Sequence, residues 1–109
     1  MSNTFKHLQV NELAKLLETG SPVIADIRDI GSYQAGHIKG AIHLTNESLA
    51  EFIRTTDMDA PVVVCCYHGN ASQQAAQFLA SQDFTNVYSL DGGFSAWQLQ
   101  HPEKVEHLG

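Results

Sequence analysis

The stretch "PVVVCCYHGNAS", residues 61–72, decides how the rest of the chain is read. Val62, Val63 and Val64 with Cys65 make a short apolar, β-branched run, which predicts a strand buried on both faces. The run breaks into "CYHGN". A long helical pattern follows in "SQQAAQFLASQDF", where Ala75, Ala76, Leu79 and Ala80 form one apolar stripe. Strand, tight loop and helix in that order are the unit from which parallel sheets are built. The chain's only two cysteines sit where the strand meets the loop. A free thiol there is either core packing or a nucleophile.

Working outward, the alternation continues. "TFKHLQV" reads as a short first strand. "NELAKLLETG" reads as a helix capped by Asn11, with Leu13, Leu16 and Leu17 on one face and Gly20 at its end. "PVIADI", residues 22–27, is a second strand buried on both faces, and "AIHL" a third, short one. "RDIGSYQAGHIKG" between them reads as irregular and polar. "NESLAEFIRTTD" predicts a helix capped by Asn46, with Leu49, Phe52 and Ile53 facing inward. "NVYSL" predicts the last buried strand, and "GGFSAWQLQH" a short helix ended by Pro102. The whole, residues 1–109, is expected to be one α/β domain: a central, mostly parallel sheet with helices on both faces.

Composition narrows the function. The 43% hydrophobic and 17% charged content is that of an ordinary globular domain. The net charge of −6 leaves no basic face for nucleic acid, and any anion site must be built locally. No apolar run approaches membrane-spanning length, and "MSNTFKHLQV" lacks an apolar signal core. Two adjacent cysteines are not a disulfide framework, so a cytoplasmic protein with both thiols reduced is expected.

Ligands of such sheets bind beyond the carboxyl ends of the strands. "DIRD", "CCYHGN" and "SLDGG" all reach that edge. The cysteine loop also precedes a helix N-terminus, where free N–H groups and the positive end of the dipole lie. Gly69 permits the positive φ that a curled nest of amides requires. Such a field lowers a thiol pKa from about 8.5 to ~3.5–7.5. Cys65 continues the strand and is expected to be buried and inert. Cys66 opens the loop and is the expected nucleophile, on the premise that reactivity needs exposure as well as a positive field.

"CYHGNAS", with "DIRDIGSYQAGHIKGAIHLTN" before it and "VYSLDGGFSAW" after it, resembles the rhodanese domain, in the form of the single-domain thiosulfate sulfurtransferases of the GlpE type. The resemblance runs from the first strand to Trp97. It departs at Lys39, where the family usually has Pro, and at Ala96, where it often has an acidic residue. It implies a rhodanese-like fold and a ping-pong reaction without metal or organic cofactor. The Cys66 thiolate would take the outer sulfur of thiosulfate as a persulfide, and sulfite would leave. Cyanide or a dithiol, a thioredoxin-like protein among them, would then accept the sulfur. The amides of Tyr67, His68, Gly69, Asn70, Ala71 and Ser72 are the expected substrate cradle. A second reading is a carrier module that docks on a protein partner and delivers sulfur to it.

Cysteine phosphatases and arsenate reductases use a similar strand–loop–helix, but phosphatases of that kind close it with an Arg six positions after the Cys. Here that position is Ser72, and residues 61–72 hold no Arg or Lys. The six-residue loop from Cys66 to Ala71 is also the length that suits sulfur in the family. A metal site on Cys65, Cys66 and His68 lacks ligand spacing, and a redox dithiol lacks C-x-x-C. The His68 ring is either a tuner of Cys66 or incidental to its own amide. Tyr67 shapes the mouth or bonds the anion. Asp26 and Arg28 are expected to brace the loop, His37 to be structural, Trp97 to be core, and Asp91–Gly93 to form a turn.

Overall fold

The computed structural model describes residues 4–107; the few residues of the expected 1–109 domain beyond these lie outside the description, as do the first three of the N-terminal stretch read for a signal core. The elements are β1 (Lys6–Leu8), α1 (Val10–Thr19), β2 (Val23–Asp26), α2 (Ile30–Ala35), β3 (His37–Ile38), β4 (Ile42–His43), α3 (Leu49–Thr55), β5 (Val62–Cys65), α4 (Ala71–Ser81), β6 (Val87–Leu90), α5 (Gly93–Gln100) and β7 (Val105–Glu106), with a 3-10 turn over Pro102–Lys104. Five strands form one sheet in the order β1-β6-β5-β2-β4, and every pairing in it is parallel.

The β5 run explains why this order closes. Val62, Val63, Val64 and Cys65 are all fully buried, so β5 takes a central place with a strand on each side. Its side chains alternate. Val63 and Cys65 join Leu13, Phe94 and Trp97 in a core under α1 and α5. Val62 and Val64 join Phe52, Ala76, Leu79 and Phe84 in a second core under α3 and α4. Each buried valine contributes about 1.5–3 kcal/mol. The sheet is thus covered on both faces, and the β5–α4 turn opens at its carboxyl edge.

Three expectations need correction. The helix α1 starts earlier than Asn11 implies. Gln9 is its cap, and the Gln9 N–H donates to Glu12 Oε1 at 2.8 Å, so Val10 enters the core from the first turn. The helix α3 begins at Leu49 behind Ser48, not behind Asn46, because Thr45 and Ser48 close a turn on each other: Thr45 N–H donates to Ser48 Oγ at 3.0 Å. The stretch read as irregular contains α2, whose cap is the Asp29 carboxylate accepting from Ser32 N–H at 3.0 Å, and β3, which pairs antiparallel with β7.

Candidate active site

The site starts from one sulfur. Cys66 Sγ accepts from the N–H of Gly69 and from the N–H of Ser72, each at 3.2 Å. Ser72 is the second residue of α4, and the Asn70 side chain makes no cap. The sulfur therefore stands where a capping oxygen would stand at an ordinary helix N-terminus. The loop has bent so that the Ser72 amide in the first turn of α4, with the dipole behind it, and the Gly69 amide just before the helix close on the thiol. Gly69, at φ +90°, supplies the left-handed turn, and a β-carbon there would meet Gly92 N at 2.8 Å.

The carbonyls of the loop face the other way. Cys66 O accepts from Phe94 N–H at 2.8 Å, and Tyr67 O from Ser95 N–H at 3.0 Å, so free amides of α5 hold them. A trans peptide points its N–H opposite to its C=O, so the N–H groups of Tyr67 and His68 are turned away from α5. Gln73 Nε2 of α4 donates to Gly69 O at 2.9 Å and fixes the Gly69–Asn70 peptide. Gly92 and Gly93, both at positive φ, bring α5 this close. The turn expected over Asp91–Gly93 is thus also the clamp on the loop.

The two thiols part company. Cys65 Sγ lies in the α1–α5 core, where burial first, and the Asp26 carboxylate second, push its pKa far up. For Cys66 burial also pushes upward. The Ser72 hydroxyl and amide, then the amides of Gly69 and His68, outweigh it and hold the thiol below its ordinary value. One premise is corrected: Cys66 is only 5% exposed. The sulfur sits at the bottom of the loop rather than at its lip, because the amides that stabilise a thiolate also enclose it.

Around this centre the expected braces are found. Arg28 Nε donates to Asp26 Oδ1 at 3.0 Å and Nη2 to Asp26 Oδ2 at 2.6 Å, with a further bond to Gly36 O at 2.6 Å. Burial opposes the Arg28 charge, and Asp26 more than restores it. The guanidinium lies 4.2 Å from the Phe94 ring centre and 5.2 Å from that of Tyr67, a cationic spacer between α5 and the loop. Tyr67 is at the rim, 46% exposed, with its hydroxyl 2.5 Å from Ser32 Oγ. His68, Asn70 and Ala71 are exposed. His37 is buried and bonded to Tyr33 O at 2.7 Å, and Trp97 is fully buried. Two residues were not anticipated in their roles: the Ser72 side chain, read only for its amide, and Ser89 behind it. A polar residue in the buried strand "VYSL" was the available signal.

A groove of about 870 Å³ runs beside the loop between the β4–α3 connection and α4, lined by Ile30, Leu44, Leu49, Ala71, Ala75 and Phe78 among others. No helix among the described residues is long and apolar enough to cross a membrane.

The chain is similar to known proteins. The chain is 59% identical over 95 residues to the thiosulfate sulfurtransferase GlpE of Shewanella oneidensis, covering 87% of this chain and 94% of the relative. It is 52% identical over 101 residues to the protein of the same name from Pseudomonas fluorescens strain SBW25, covering 93% and 92%. The solution structure of the rhodanese-like domain of an Anabaena protein superposes with a TM-score of 0.81 at 28% identity, over 94% of this chain and 79% of that one. The model of the rhodanese-like domain matches residues 9–100, from the cap of α1 to the end of α5, and so takes in four of the five strands of the sheet, the cysteine loop and its clamp: the chain belongs to the rhodanese-like family.

Proposed function

We propose that this protein is a thiosulfate sulfurtransferase working through a persulfide on Cys66. The observation that carries the reading is the Cys66 sulfur seated on the N–H groups of Gly69 and Ser72 in a loop without a cationic side chain. Relatives named for this activity at 59% and 52% identity support it. The thiolate attacks the outer sulfur of thiosulfate. The sulfur–sulfur bond of thiosulfate breaks, its electron pair leaves with sulfite, and Cys66 keeps the outer sulfur with its negative charge. The amides of Tyr67 through Ser72 stabilise that charge and the approaching anion. Cyanide then attacks the outer sulfur, leaves as thiocyanate, and returns the Cys66 thiolate; a dithiol can serve in its place. Cys65 cannot resolve the persulfide, because its sulfur is buried in the α1–α5 core. The acceptor must come from outside.

The reading puts the protein in the cytoplasm, where thiols stay reduced. The groove that Ala71 lines, of mixed apolar and polar wall, favours a second reading, in which a protein dithiol of the thioredoxin kind docks there and takes the sulfur. Turnover of thiosulfate and cyanide alone tests the first reading. Thiocyanate should form, Cys66→Ser should abolish it, and Cys65→Ser should retain most of it. Full activity in Cys66→Ser overturns the assignment, and a wild-type protein inert to small acceptors favours the carrier.

A further inference from the structure

Cys66 has a third partner besides its two amides. Its Sγ lies 3.3 Å from Ser72 Oγ, and Ser72 Oγ lies 2.7 Å from Ser89 Oγ. Both serines are fully buried. Ser89 is on β6 opposite Val64 of β5, in the strand register that faces α4. So three polar groups stand in a row behind the loop: the sulfur of Cys66 just past the end of β5, a hydroxyl on the first turn of α4, and a hydroxyl on β6.

A sulfur that alternates between thiol and thiolate sets a problem for its neighbours. The thiol has a proton to give, and the thiolate has only lone pairs. A buried partner that satisfied one form alone would be left unpaired in the other, which is costly in a dry interior. A hydroxyl can serve both, since it is donor and acceptor and rotates freely, but only if something beyond it can also reverse. Ser89 is that group. With the thiol, S–H donates to Ser72 Oγ, and Ser72 O–H donates on to Ser89 Oγ. With the thiolate, Ser89 O–H donates to Ser72 Oγ, and Ser72 O–H donates to the sulfur. Each state fills the row in one direction, and bonds running in one direction reinforce each other.

We propose that Ser72 and Ser89 form a reversible two-hydroxyl relay that follows the charge on Cys66, with Ser72 a catalytic residue touching the reacting sulfur and Ser89 a positioning residue acting through it. The proposal rests on Cys66 being the reacting thiol. The charged and titratable groups near Cys66 are Cys65 on β5, Asp26 and Arg28 at the end of β2, Tyr67 and His68 on the loop, and Asp91 after β6, paired with His7. Both α4 and α5 bring none from their own first turns. None of these groups is altered by the variants below, so the comparison isolates the relay.

The test is the pH dependence of Cys66 alkylation by iodoacetamide, followed by mass spectrometry of the Cys66 peptide, in the wild type, Ser72→Ala, Ser89→Ala and the double variant. Loss of one hydrogen bond to a thiolate should raise the Ser72→Ala midpoint by about one pH unit. Ser89→Ala should raise it by less, and the double variant should match Ser72→Ala, since Ser89 has no route to the sulfur without Ser72. An unshifted midpoint in either single variant, or shifts that add in the double, overturns the relay. Should Ser72→Ala fail to fold because it strands the Ser89 hydroxyl, the double variant removes both groups together and must still titrate above Ser89→Ala. This readout uses no thiosulfate. A wild type that gains no sulfur from thiosulfate while the midpoints move as stated defeats the sulfurtransferase reading and leaves the relay standing, and the converse result defeats the relay alone.

Discussion

A β-carbon on Gly93 would stand 2.4 Å from the carbonyl oxygen of Cys66. That distance shows how the loop is held: α5 presses its first turn directly onto the backbone of Cys66, and the Phe94 and Ser95 amides take the two loop carbonyls. The amides that serve the sulfur are aimed because the carbonyls have been taken elsewhere.

Gly93→Ala should therefore damage the chemistry more than the fold. The added methyl must displace the Cys66 and Tyr67 carbonyls, and a misplacement near one ångström costs on the order of 100-fold in rate. Gly40 is the control. It also has positive φ, +85°, but a β-carbon there has no neighbour within 4 Å. Gly40→Ala should lose about 1 kcal/mol of stability and keep its sulfur transfer. Equal kcat/KM losses in the two variants would mean that backbone strain, not contact with the loop, explains the result.

The pH dependence follows from the direction of the Cys66 shift. Its pKa in the folded protein lies below the ordinary thiol value, through the Ser72 and Gly69 donors working against burial. Alkylation and kcat/KM should rise with pH and reach half their plateau below about pH 8.5. The same shift adds stability that is fully present above the unfolded thiol's pKa and is lost as pH falls through the folded value. Cys65, shifted the other way by burial, stabilises below the unfolded pKa and loses that contribution as pH rises. A Cys66 midpoint at or above that of a free thiol would contradict the donor geometry.

The Asp26–Arg28 pair should be needed for stability rather than binding. Both side chains are buried, and Arg28 is shared between Asp26 and Gly36 O. Asp26→Asn strands a buried cation and should cost about 3–5 kcal/mol, read from urea unfolding. A loss below about 1 kcal/mol would show that the charge finds solvent.

Thiosulfate is a dianion meeting a chain of net charge −6, and the Arg28 guanidinium beside Tyr67 is already neutralised by Asp26. Weak capture, seen as a high KM, is expected. Ala71 is exposed at the start of α4, and Ala71→Lys should lower KM several-fold through about 1 kcal/mol of screened attraction. The gain should shrink as salt rises, with circular dichroism unchanged. A folded Ala71→Lys with the same KM at low and high salt would show that charge does not limit capture.

The sheet, its longer helices and the place of Cys66 between β5 and α4 were legible because valine runs, alternating elements and a strand–loop–helix junction are local patterns. The β5 run alone predicted a doubly covered strand, and its residues are fully buried. What escaped was tertiary or brief. The helix α2 is six residues with no buried residue of its own, held by Asp29, so no apolar stripe announced it. The strand β7 exists only as the partner of β3. At the site, the depth of Cys66 followed from the loop amides closing on its sulfur, and Ser89 gained its place from the register of β6 against β5. Neither is written in residues 61–72.

The most direct test of the central claim is the intact mass of the protein after thiosulfate, followed by location of any added mass in its peptides. The account predicts one added sulfur atom, found on Cys66, removed by cyanide and absent in Cys66→Ser. Sulfur located on Cys65, or no stable addition in a folded protein that still turns over thiosulfate, would contradict it.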